Sequence, residues 1–171
     1  MSTTITDKER GDLLETLAAH RAFLRFTVRD LDDEQVRMRT TVSELSLGAV
    51  LKHVAAAERR WATFIEIGPG AIGASDEAGI AAHREQFRLG PDDTAASLLA
   101  TYESVARATD DLVARLPDLD DSQPLPEAPW FEPGARWSAR RVLLHVIAET
   151  AQHAGHADII REALDGAKTM G

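Results

Sequence analysis

With 171 residues and no cysteine, the chain is long enough to bury a substantial core without cross-links, and it carries no thiol of its own for disulfides, thiolate–metal sites or thiol catalysis. Its net charge of −9, with histidine neutral, argues against a nucleic-acid partner, because phosphate contacts need a basic face. No stretch approaches the roughly eighteen apolar residues that span a bilayer, and the polar segment Met1–Asp7 lacks the basic-then-apolar pattern of a secretory signal. The expectation is one cytoplasmic domain over residues 1–171 with no membrane contact.

Helical periodicity dominates the chain. A first helix is predicted from about Asp7 to Leu31, where Leu13, Leu14, Leu17, Leu24 and Val28 recur at three- and four-residue steps. Asp32, Asp33 and Glu34 begin a short turn. A second helix starts at Ser46, a good N-cap, and runs to about Ile67 with Leu47, Val50, Leu51, Val54, Trp61 and Ile65 on its apolar side. Gly68, Pro69 and Gly70 end it. A loop from Ala71 to Gly90 holds at most a short helical piece around Ala81–Phe87. A third helix follows Pro91, with Thr94 as cap and Leu98, Leu99, Tyr102, Val105, Leu112 and Leu116 buried, and stops before Pro117. The Pro- and Asp-rich stretch from Pro117 to Gly134 is a long connection of the kind often used for function, and its Trp130 and Phe131 are expected to fold back and line a pocket mouth or join the core. The last helix opens at the N-cap Ser138 and ends near Leu164, with Gly166 placed to stop it. No strand run or internal repeat is visible. The pattern predicts an all-α protein, a four-helix bundle.

The last helix carries the most informative side chains. In LHVIAETAQHAGHADII, His145, Glu149, His153 and His156 follow one another at steps of four, four and three, so they share one face beside the apolar residues Val142, Val146 and Ile160. Unpaired imidazole or carboxylate is expensive to bury, so this stripe needs partners. A divalent metal is one: an i, i+4 pair can share an ion, and zinc and its neighbours accept His with Glu. A third ligand must come from elsewhere, and His53, between Leu51 and Val54, is the candidate; His20 and His83 sit in polar surroundings and are expected at the surface. A hydrogen-bonded core histidine and an intrahelical ion pair account for the same residues without a metal. Trp61, Phe64 and Trp137 fall at core spacing. Arg59-Arg60 and Arg140-Arg141 fit solvated helix faces or, alternatively, a clamp for an anionic ligand.

The segments SLGAVLKHVAAAERRW and RWSARRVLLHVIAETAQHAGHADIIREALDG resemble the DinB-like superfamily of metal-binding bundles, closest to its branch of mycothiol-dependent maleylpyruvate isomerases and thiol S-transferases. The resemblance runs from the first helix to Gly166. It implies a four-helix bundle holding one divalent ion, zinc or nickel before iron or manganese, on His53, Glu149 and His153. His156 falls where many relatives carry Gln, three residues after the last ligand. It is expected to support the ligands or to contact the substrate, which makes it the candidate catalytic residue; replacement of one of the three ligands is the alternative. His145 is expected behind Glu149 as an orienting group. The resemblance further implies mycothiol or a similar small thiol as cofactor and a small electrophile as substrate; a homodimer through one helix pair is the assembly to look for. The activity implied is a metal-dependent thiol S-transferase or a thiol-cofactor isomerase. A metal-dependent hydrolase using His156 or Glu58 as base, and a metal-binding structural or sensing bundle without catalysis, are the alternatives.

Overall fold

The computed structural model describes residues 2–73 and 77–169; the side chains of residues 2–7, 78, 80 and 83 lie outside the described residues, and with them the surface position expected for His83. Four long helices make the body: α1 (Ser2–Thr27), α2 (Leu47–Ile67), α4 (Ala95–Arg115) and α5 (Ala139–Asp165), with a short α3 (Glu77–Glu85) in the loop after α2. The all-α four-helix bundle read from periodicity is therefore the observed fold.

The helix ends follow local chemistry. Ser46 and Ser138 each accept a backbone N–H at the starts of α2 and α5, from Ala49 and Arg141. Thr94 and Ser97 form a reciprocal capping box on α4. Gly166 closes α5 in the left-handed region. The first helix stops at Thr27, four residues before the expected Leu31. There the buried Arg161 of α5 donates to the carbonyls of Thr27 and Arg29, satisfying acceptors that the ended helix leaves open.

Contacts run chiefly from α1 to α5, from α5 to α2 and from α2 to α4, with α4 returning to α1. The order around the bundle is α1, α5, α2, α4, so the chain-consecutive pairs α1–α2 and α4–α5 are not main neighbours, and their connections are correspondingly long. The second of these holds a feature that periodicity misses. Two three-residue strands, β1 (Ser122–Pro124) and β2 (Arg136–Ser138), pair antiparallel with Gln123 opposite Trp137, and β2 leads straight into α5.

The apolar interior has one cluster around Leu24, Leu51, Val54, Tyr102 and Ile160, and a second around Leu17, Trp61, Phe64, Val142 and Val146. Phe131 and Trp137 pack against the second cluster, as expected for residues folded back on the bundle, whereas Trp130 stays 65% exposed. Among the described residues no helix is long and apolar enough to cross a membrane.

Candidate metal centre

Along α2, His53 lies between Leu51 and Val54 and is 2% exposed. On α5, Glu149 and His153 are one turn apart and face it. His53 Nε2 lies 3.2 Å from Glu149 Oε1, and His153 Nε2 lies 3.4 Å from the same oxygen. One potential ligand atom from each of the three falls within 4.8 Å of the others. The helix turn that separates 149 from 153 and the packing of α2 on α5 are enough to build this convergence.

The surroundings hold the trio in place. The Phe87 ring stacks on His53 with centroids 4.1 Å apart, and the His53 and His153 rings meet edge-on at 4.8 Å. Hydrogen bonds from His153 and His53 hold the Glu149 carboxyl well below the usual carboxylate range, against the opposing effect of burial. Glu149 keeps 26% and His153 13% side-chain exposure, so the trio reaches solvent on the α5 side.

Two imidazole nitrogens and one carboxylate oxygen aimed at a common point are the donor set of a His₂Glu zinc site, which leaves a coordination position open. The Nδ1 atoms of His153 and His156 are buried with no hydrogen-bond partner, so neither ring is satisfied by the protein alone. These residues fit a divalent ion. His156 stands next to the trio but outside it, half-buried, its ring edge-on to His153 at 5.4 Å.

His145 takes a different place from the one expected. No hydrogen bond joins it to Glu149 among the described residues; its ring packs edge-on against Trp61 at 4.8 Å and Trp137 at 5.1 Å. Burial lowers its pKa, Glu149 opposes the shift, and Arg141 and Arg60 add to the lowering. Glu58 is not available to the site. It is 1% exposed and bound by Arg21, whose Nε donates to Oε2 at 3.1 Å, while Arg21 Nη1 also reaches Asp110 at 2.8 Å. His20 is half-buried on α1, beside Phe23.

The arginines divide. Arg140 pairs with Glu9 and Asp120 and is spent on holding α5 to α1 and the loop before β1. Arg141 lies over the Trp137 ring, 4.4 Å from its centroid. Arg59 is exposed, but Arg60 is half-buried. Sequence reasoning misses Phe87, and it reads Arg60 only together with Arg59, as a solvated face or an anion clamp. The place of Arg60 on the His53 side is within its reach, since the seven-residue step from His53 returns to the same helix face. Phe87 comes from a loop whose path periodicity does not give.

Fold and constellation together define the class: a four-helix bundle with a His–Glu–His cluster of metal-ligating geometry between α2 and α5. The chain matches the family model described as mycothiol-S-transferase over residues 12–166, and it belongs to that family. No curated protein and no solved structure matches it.

Proposed function

We propose that this chain is a metal-dependent transferase that joins a small thiol, mycothiol or one like it, through its sulfur to a small electrophile. The observation that carries the reading is the convergence of His53, Glu149 and His153 on one point in a chain without cysteine. Zinc or nickel suits the donor set. When bound, the ion would supply Lewis-acid stabilisation of a thiolate, the reactive form of a thiol. The family to which the chain belongs supports a thiol as the group transferred.

The protein's own residues divide the remaining work. Glu149, kept anionic, and the imidazoles of His53 and His153 form the donor set. His156, with its Nδ1 uncommitted, is the group proposed to accept the proton that the thiol loses, passing it to the product where the thiol adds to the electrophile and to solvent where a leaving group such as chloride departs. The Phe87 ring packs on His53, and the Trp61–Trp137 stack, 4.9 Å between centroids, packs on His145, one turn before Glu149. The same arrangement would serve an isomerisation in which the thiol adds to the substrate and leaves again. A hydrolase with Glu58 as base loses support, because that carboxylate is buried against Arg21.

The test is elemental analysis of purified protein beside His53→Ala and His153→Ala, followed by thiol conjugation of metal-loaded protein with mycothiol and chlorodinitrobenzene. The expected result is near-stoichiometric metal in the wild type alone and a conjugation rate above the metal-free control. Equal trace metal in all three proteins removes the metal site. Full metal with no conjugation of any small thiol removes the transferase and leaves a metal-binding bundle without catalysis.

A further inference from the structure

The helix face that carries His53 continues, seven residues on, to Arg60. Arg59 beside it is exposed, as a surface arginine should be, but Arg60 is half-buried. Its Nε is fully buried and has no hydrogen-bond partner, and its guanidinium forms no ion pair among the described residues. A buried guanidinium N–H without an acceptor is costly, so such a group is retained for a partner that comes and goes or for a field that compensates it. Glu149 supplies only part of that field. Its Oε1 is shared between the two histidines, and no salt bridge to Arg60 forms. Burial lowers the Arg60 pKa and Glu149 opposes the shift, so the two groups sense each other without pairing.

We propose that Arg60 selects the electrophile by receiving its carboxylate next to the His53–Glu149–His153 cluster. The inference rests on the transferase reading for the identity of the ligand as an electrophile. The charges favour it. A divalent ion, Glu149 and one bound thiolate sum to zero, which leaves the Arg60 cation uncompensated and one anionic group short of neutrality. Arg141, whose guanidinium lies over the Trp137 ring that packs on His145, adds a second positive field there. A chain of net charge −9 repels anions in general, so a local pair of cations is needed to draw one in. Arg is the residue that binds a carboxylate in a fixed, two-pronged geometry.

The experiment uses unreactive probes on the full zinc-loaded chain: benzoate and its neutral isostere benzamide, titrated by tryptophan fluorescence. Wild type is expected to prefer benzoate by about tenfold or more, as loss of one partner of a buried charge pair would cost. Arg60→Gln should reduce the preference to within about twofold, and Arg60→Lys should keep part of it, because the charge survives without the fork. On wild type alone, the Arg60 Nε–H resonance should move on adding benzoate and not on adding benzamide, which tests the contact without any variant. No preference in wild type, a preference that persists in Arg60→Gln, or an unmoved Nε–H signal each overturns the proposal. Thiol transfer is not measured here, so the two readings fail separately. Arg60-dependent benzoate binding without conjugation removes only the transferase, and conjugation without that dependence removes only the role of Arg60.

Discussion

Single atoms decide what the candidate centre can do. Glu149 Oε1 stands within 3.4 Å of two imidazole nitrogens, and its carboxyl is held anionic well below the usual range by those same rings. Metal ligands must be deprotonated to bind, so metal uptake should weaken as the solution is acidified. Isothermal titration of zinc at a series of pH values checks this; uptake that strengthens on acidification contradicts it. Glu149→Gln keeps the shape and removes the charge. Loss of an outer-sphere partner already costs about 10–100-fold in metal affinity, so loss of this carboxylate should cost at least the upper end of that range. His156→Ala should leave metal content unchanged and lower conjugation by about 10²–10⁴-fold, the ordinary worth of a proton-transfer group. The polar stripe on α5 was visible in the sequence as a set of steps, but steps alone could not say which of its four members face α2. Family resemblance singled out Glu149 and His153, and the packing of α2 on α5 brings them to His53. His145 could not be placed that way, because the indoles that surround it come from α2 and from β2.

Elements explain which parts of the fold were legible. Long helices announce themselves through apolar steps and caps, and Ser46, Thr94, Ser138 and Gly166 all stand where the structure puts helix ends. The β1–β2 hairpin is three residues on each side, too short to show alternation, and it closes a Pro-rich connection whose course depends on the packing of Phe131 and Trp137. The end of α2 is a backbone matter. Gly68 sits at φ 73° and ψ −149°, a region open essentially to glycine, and a Cβ there would come within 3.0 Å of Gln123 Oε1. Gly68→Ala should therefore destabilise by about 1–3 kcal/mol, read as a lowered midpoint in urea. At the other end of the bundle, Arg161 and the backbone N–H of Ala167 lower the pKa of Asp165. A carboxyl with a lowered folded-state pKa contributes stability above its unfolded value and loses it as pH falls through the folded one. The Asp165→Asn variant should thus be less stable than wild type at pH 7 and converge with it in acid. Melting temperatures that differ equally at both pH values would contradict the assignment.

Across the molecule, two polar connections hold helices that the apolar clusters alone do not fix. Arg21 of α1, Glu58 of α2 and Asp110 of α4 form a network with Arg21 and Glu58 almost wholly buried. Removing one partner leaves an uncompensated charge, so Arg21→Met should cost about 3–5 kcal/mol, while Arg21→Met with Glu58→Leu should recover much of it. The candidate metal centre would be the second connection, between α2 and α5. In the helix order α1, α5, α2, α4 that pair joins the half of the bundle containing α1 and α5 to the half containing α2 and α4. An ion bound only by the folded chain stabilises it by about 2.7 kcal/mol at a hundredfold excess over its Kd. For a protein of this size that corresponds to a rise in Tm of roughly 5–10 °C. Zinc should raise the Tm of the wild type by that amount, and His53→Ala, which severs the α2 side of the connection, should show no rise. Equal melting of the wild type with and without zinc, or an equal rise in the variant, would mean that no ion links the two halves through His53.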